Sequence, residues 1–112
     1  MFRIGAWNIR GLNDPIKQKN IREAIRMNNL SMMGILEVKV KDSHMDAVLK
    51  GVLPQNWQAL SSFGTNNVAR LLVIWDDLAL QVTQVQSSNQ MITMKVMHNS
   101  KVFFCLNGVC KQ

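Results

Sequence analysis

Acidic side chains, cysteine and proline are scarce in this 112-residue sequence, and tyrosine is absent. Seven Asp and Glu residues against 13 Lys and Arg residues give a net charge of +6, which favours an anionic partner such as nucleic acid. Cys105 and Cys110 are too few for a disulfide framework or a zinc site, so we expect reduced thiols. No apolar run approaches the roughly 18 residues that span a bilayer, so we expect a soluble intracellular protein.

The composition is that of a folded chain. Hydrophobic residues make up 47% of the sequence and charged residues 18%, far from the balance typical of disordered proteins. A chain of this length has room for one hydrophobic core, and it contains no repeat, linker or low-complexity segment. We therefore expect a single domain over residues 1–112.

The first 30 residues predict a strand followed by a helix. The segment "FRIGAW" alternates apolar and other residues as a half-buried strand does, and it places Asn8 at its C-terminal end. Asn13 or Asp14 can cap a helix, Pro15 suits its first position, and apolar residues then recur on one face. This spacing predicts an amphipathic helix over residues 14–28.

The rest of the chain predicts one more helix and several strands. The apolar run "SMMGILEV" predicts a strand covered on both faces that ends at Glu37, and a short helix follows from Asp42 to Leu53. The segments "WQALSS", "VARLLVIWDD", "LALQVTQVQ", "QMITMKVMH" and "KVFFCLNGV" then predict antiparallel strands joined by polar turns. The fold class is α+β, with two early helices and a mixed sheet.

Two polar residues end the first two predicted strands. In a parallel β-α-β unit the strand ends meet at one sheet edge, so we expect Asn8 and Glu37 to lie together. Amide and carboxylate oxygens suit Mg²⁺, and Arg10 could then hold a phosphate. The alternative is that Asn8 closes a turn, Glu37 is a solvated strand end and Arg10 is surface charge, since any such unit has polar strand ends.

The segment "WNIRGLNDPIKQKNIREAIRMNNLSMMGILEVKVK", Trp7 to Lys41, closely resembles the start of the endonuclease domain of plant LINE-type (non-LTR) retrotransposons. These endonucleases are a branch of the endonuclease/exonuclease/phosphatase superfamily, whose fold is DNase I-like. The match rests on "WNxRGLNDPxKQ" and on "LExK" after the intervening helix. The resemblance implies a Mg²⁺-dependent phosphodiesterase site that acts on DNA in the nucleus, with Asn8 and Glu37 in its metal and phosphate site.

The resemblance continues more weakly to the end of the chain. Arg70 matches the Arg of a Gly-Arg pair and joins Asn8 and Arg10 as an implied phosphate or nucleic-acid contact, but Ala69 replaces the Gly. Leu72 replaces an expected Trp, and Asn107-Gly108 stands where the family has Tyr-Gly. The later Asp-x-Asn and Asp-His motifs, which supply the general base and further metal ligands, have no counterpart here.

These departures lead to three hypotheses. The first is a truncated and catalytically inactive N-terminal half of such an endonuclease, in which about one sheet is present and its uncovered face promotes self-association. The second is a small basic module that binds nucleic acid without cutting it; the cations involved would be Arg3, Arg10, Lys17, Lys19 and Arg70. The third is a pseudogene fragment with no stable fold.

Overall fold

The computed structural model describes residues 3–63, 67–88, 91–107 and 109–111. The chain begins with strand β1 (Ile4–Asn8), helix α1 (Pro15–Asn28), strand β2 (Met32–Lys41) and helix α2 (Asp42–Val52). Six strands follow: β3 (Trp57–Phe63), β4 (Val68–Asp76), β5 (Gln81–Ser87), β6 (Ile92–His98), β7 (Lys101–Leu106) and β8 (Val109–Lys111). The α+β class and the two early helices are confirmed.

The strands form two four-stranded sheets. The first sheet has the order β1-β2-β4-β3, in which β1 and β2 are parallel and the other neighbours antiparallel. The second sheet has the order β5-β6-β7-β8 and is antiparallel throughout. The predicted mixed sheet is therefore confirmed, and it is the first of two.

Helix α1 begins and ends at the predicted signals. The Asp14 carboxylate accepts a hydrogen bond from the Ile16 amide at 2.9 Å, and Pro15 occupies the first helical position. Asn29 ends the helix in the left-handed conformation at φ 52°, a conformation that asparagine tolerates better than most residues. Neither helix in the described residues has the length and apolarity needed to cross a lipid bilayer.

Both helices pack on one face of the first sheet. Apolar residues at one-face spacing on each helix meet alternate residues of the central strands. The buried residues of this layer include Ile21, Ile25, Met45, Val48, Val52, Met33, Ile35, Leu72 and Ile74. This helix layer is the first hydrophobic core.

The second sheet packs on the opposite face of the first. Leu71, Val73 and Trp75 of β4 alternate with the residues that face the helices, which explains the continuous apolar run in this strand. They meet a buried layer made of Leu80, Ile92, Met94, Val96 and Cys105. The expectations of one hydrophobic core and of about one sheet with an uncovered face are wrong, because a second core lies between the two sheets and covers that face.

Two further expectations need correction. Strand β2 does not end at Glu37 but continues to Lys41 after a register shift between Leu36 and Val40. Cys105 is buried and disulfide-bonded, so the expectation of reduced thiols is wrong for this residue. It lies directly opposite Cys110, the only other cysteine of the sequence, in the pairing of β7 with β8.

Candidate phosphate and cation site

An irregularity in β2 shapes the edge of the first sheet at which β1 ends. Leu36 pairs with Leu71 and Val40 pairs with Ala69, so residues 37–39 of β2 stand opposite the single residue Arg70 of β4. Such a bulge bends a strand and redirects its side chains. Glu37 and Lys39 are exposed here with Val38 buried between them, and both adopt the left-handed conformation, at φ 56° and 50°.

The segment after β1 is hydrogen-bonded to this bulge. Four consecutive carbonyl oxygens of β2 accept hydrogen bonds from residues 9–13. The bonds run from Ile9 N to Leu36 O (3.0 Å), Gly11 N to Glu37 O (2.7 Å), Leu12 N to Val38 O (2.8 Å) and Asn13 Nδ2 to Lys39 O (3.0 Å). This set of bonds, the carbonyl ladder, supplies hydrogen bonds to β2 where the bulge interrupts its regular pairing with β4.

Helix α1 holds the same segment from the other side. Lys17 Nζ donates to the Arg10 carbonyl at 3.1 Å, and Gln18 Nε2 donates to the Leu12 carbonyl at 2.9 Å. Gly11 has φ 105°, a conformation that side-chain-bearing residues rarely adopt. The "RGLN" segment and the "KQ" pair of the sequence motif thus form one hydrogen-bonded unit with the bulge.

A cleft of about 460 Å³ opens between these elements. It is lined by Asn8, Leu36, Glu37, Lys39, Arg70 and Leu71. Three residues singled out from the sequence, Asn8, Glu37 and Arg70, are therefore brought together, each from a different strand.

Arg10 is not among the residues that line the cleft, but it reaches the same carboxylate. Its Nε lies 3.9 Å from Glu37 Oε2, and the two side chains are 80% and 48% exposed. Like Glu37, Arg10 has a left-handed backbone, at φ 54°. The Arg10 side chain is thus aimed at Glu37 by a constrained loop while remaining open to solvent.

The charges around the cleft favour an anion. Lys39 and Arg70 line it with a single carboxylate, that of Glu37, and Arg10 adds a third cation beside that carboxylate. The described residues contain no group of three or more His, Cys, Asp or Glu that could hold a metal ion. A phosphate group matches this arrangement directly.

A divalent cation fits the same cleft in part. Glu37 offers a carboxylate and Asn8 an amide oxygen, the hard oxygen ligands that Mg²⁺ prefers. Mg²⁺ commonly takes one or two protein ligands and keeps several waters, so two donors can hold it weakly. These two side chains would hold the ion, which would neutralise charge on a phosphate bound beside it.

Lys39 is the cleft residue that the sequence interpretation missed. Its signal was present, because it is the last residue of the "LExK" match from which only Glu37 was taken. Among the other residues considered, Lys17 holds the Arg10 carbonyl and Lys19 pairs with Glu23 on α1 at 3.9 Å. His44 lies in α2, and Nδ1 of His98 lies 3.2 Å from the Ala79 carbonyl, so neither lines the cleft.

Asn107, which the sequence resemblance aligns with a tyrosine, lies at a second cavity. Its Oδ1 accepts a hydrogen bond from the Ile92 amide at 2.7 Å, so the side chain stabilises the end of β7 against β6. It lines an apolar groove of about 730 Å³ with Ala6, Leu36, Thr93, Phe104, Cys105 and Leu106. Gly108 lies outside the described residues.

Comparison with solved structures identifies the fold. No family model matches the sequence, and the search of curated proteins gives no match either. The endonuclease domain of TRAS1, a telomere-specific non-LTR retrotransposon, superposes with a TM-score of 0.68 at 12% identity, covering 94% of this chain and 44% of that one.

Two further structures agree. For the AP endonuclease LMAP from Leishmania major the TM-score is 0.71 at 11% identity, with 96% of this chain and 39% of that one covered. For D. rerio TDP2, humanised by 14 mutations, it is 0.66 at 7% identity, with 94% and 48% covered. The chain thus spans less than half of each structure, and its architecture is that of a DNase I-like fold.

Proposed function

We propose that the cleft binds a phosphodiester group of DNA together with Mg²⁺, as the first half of a nuclease site. Arg70 and Lys39 contact the phosphate, and Glu37 with Asn8 holds the cation. The observation that carries this proposal is the convergence of Asn8, Glu37 and Arg70, from three strands, on one cleft of about 460 Å³. The DNase I-like fold shared with two endonucleases supports it.

The cation part of the proposal is tested by titrating the purified chain with Mg²⁺ and following its amide NMR signals. We expect weak binding that perturbs the residues around Glu37 and is abolished by Glu37→Gln. Glu23→Gln is a matched control, because Glu23 is 46% exposed against 48% for Glu37 and also has a cation at 3.9 Å. An unchanged titration in Glu37→Gln would remove Glu37 from the ligands.

The phosphate part is tested with a fluorescent DNA duplex at several salt concentrations. Each phosphate contact contributes about one unit to the slope of log affinity against log salt, so Arg70→Gln should lower that slope by about one. Arg26→Gln removes the same charge from an exposed position in the last turn of α1. If both substitutions weaken binding equally, the effect is one of net charge and not of the cleft.

A second candidate function is DNA binding without hydrolysis. It is favoured by the surplus of cations at the cleft and by the position of both histidines away from it. A general base typically accelerates such reactions by ~10²–10⁴-fold, and no histidine at the cleft supplies one. Nicking of supercoiled plasmid in Mg²⁺ separates the two functions: nicking that Glu37→Gln abolishes supports the nuclease, and DNA binding with no nicking supports the binding module.

We further propose that the chain corresponds to the N-terminal half of a plant LINE-type retrotransposon endonuclease, acting in the nucleus. The motifs between Trp7 and Lys41 support this source, as does the likeness to the TRAS1 endonuclease domain. On this proposal the remaining metal ligands and the base belong to the part of such domains that this chain does not match.

A further inference from the structure

Arg10 can interact with two charged groups at the cleft, the Glu37 carboxylate and a bound phosphate. Its guanidinium is paired with Glu37, the carboxylate to which the proposed function assigns the cation. Its side chain is 80% exposed, so it can leave that carboxylate without disturbing a core. Its backbone, in contrast, is fixed by the Lys17 bond to its carbonyl and by the ladder on either side.

The two positive charges compete for one carboxylate. A divalent cation that binds Glu37 competes with Arg10 for the carboxylate, so the ion pair between Arg10 and Glu37 is lost. The bound cation is also repelled by the nearby guanidinium. A phosphate beside the cleft offers the guanidinium an alternative partner, because arginine matches phosphate oxygens with paired N–H donors. Movement of the Arg10 side chain from Glu37 to the phosphate therefore stabilises the complex with both ligands more than the complex with either ligand alone.

Building on the proposed function, we propose that Arg10 couples the two ligands of the cleft. When a divalent cation binds Glu37, the guanidinium moves from the carboxylate to the phosphate, so the species bound preferentially is a cation and a phosphodiester together. Arg10 is here a positioning residue, and the coupling is reciprocal: the phosphodiester raises the affinity for the cation by the same factor as the cation raises that for the phosphodiester.

The size of the effect follows from the exposure of the ion pair. Exposed pairs are weak, and their loss changes an equilibrium by about two- to fivefold. We therefore expect Arg10→Gln to raise the affinity for Mg²⁺ alone by about two- to fivefold. In Arg10→Gln, the factor by which the phosphodiester raises Mg²⁺ affinity should fall by a similar amount. The part of this factor that remains comes from the direct attraction between the cation and the phosphodiester.

The test measures Mg²⁺ affinity by NMR titration, without and with saturating dimethyl phosphate, in the unmodified chain, Arg10→Gln and Arg26→Gln. Arg26→Gln is the matched control, because it removes an exposed arginine from the last turn of α1, which does not line the cleft. We expect the coupling factor to fall in Arg10→Gln and to keep its value in Arg26→Gln. If Arg10→Gln does not fold, Arg10→Asn replaces it, since asparagine tolerates the left-handed backbone.

A direct readout is the Nε–Hε signal of Arg10. It should shift when Mg²⁺ saturates Glu37, because the ion pair with the carboxylate is lost, and shift further when dimethyl phosphate is added. A coupling factor that is unchanged in Arg10→Gln, or that falls equally in both variants, would overturn the inference while leaving the proposed function intact. Absence of Mg²⁺ and dimethyl phosphate binding in the unmodified chain would overturn the proposed function and this inference with it.

Discussion

The two sheets place their left-handed residues differently. In the second sheet Asn99, Ser100 and Asn107 occupy turns, where small polar side chains commonly adopt this conformation. In the first sheet Glu37 and Lys39 adopt it inside a strand, although neither residue type favours it. The first sheet is also the one covered on both faces, by the helices and by the second sheet.

This difference indicates where the fold can hold strained backbone. A residue in an unfavourable conformation costs about 1–3 kcal/mol and persists where the surroundings hold it in place. The carbonyl ladder and the two cores do so at the bulge. The second sheet has one packed face and exposes Phe104 and Leu106 on the other, at 58% and 48%, and no residue predicted for the site lies in it.

The largest expected change in the free energy of unfolding distinguishes a buried leucine of the first sheet from an exposed leucine of the second. Leu72 is 1% exposed in the first sheet, so Leu72→Ala should lower the free energy of unfolding by about 2–5 kcal/mol. Leu106→Ala, the same substitution on the exposed face, should cost under about 1 kcal/mol. Urea unfolding followed by tryptophan fluorescence measures both changes.

Equal losses in these two variants would contradict the comparison. They would mean that the outer face of the second sheet is covered in solution. The self-association predicted from the sequence would produce such a result, and the cost of Leu106→Ala would then decrease on dilution of the protein.

A smaller effect should show how much strain the "RGLN" segment tolerates. Gly11→Ala should destabilise the chain by about 1–3 kcal/mol, because φ 105° is unfavourable for alanine. Apart from Gly11 and its two chain neighbours, no residue has an atom within 4 Å of the position that the new methyl group would take, so the loss comes from the backbone conformation. Gly11→Asn should recover part of the loss, and thermal unfolding of both variants checks this; equal losses would contradict it.

The smallest effect should have opposite signs in the two sheets. Lys39→Gly relieves a left-handed residue and should raise the free energy of unfolding by about 0.5–1 kcal/mol. Lys101→Gly, in a regular strand of the second sheet, should lower it by about the same amount. The same unfolding measurement applies, and a loss in Lys39→Gly would mean that the bulge is not strained.

The local parts of this fold were predictable from the sequence. The cap at Asp14, the proline after it and the one-face spacing of apolar residues define α1, and the strand-helix-strand order brings Asn8 to the edge that carries Glu37. These features depend on residues near one another in the chain, where spacing and residue type are informative.

The bulge and the second sheet were not predictable. Two extra residues in β2 leave no mark in hydrophobic periodicity, because Val38 and Val40 simply extend the alternation past Glu37. The apolar run in β2 indicated burial on both faces but not the partner on each face. Partner choice depends on contacts between distant strands, which one sequence does not reveal.

The carbonyl ladder has a consequence for the order of folding. It joins two segments that are separated by the whole of α1, so the amides of Gly11 and Leu12 become protected from hydrogen exchange after β1, α1 and β2 have assembled. Because Arg70 and Leu71 of β4 also line the cleft, a piece of the chain that lacks β4 cannot form it. Opening of residues 9–13 would release the carbonyls of residues 36–39 and also expose Ile9 and Leu12 of the first core, so the bulge that carries Glu37 and Lys39 is held only while this part of the core stays packed.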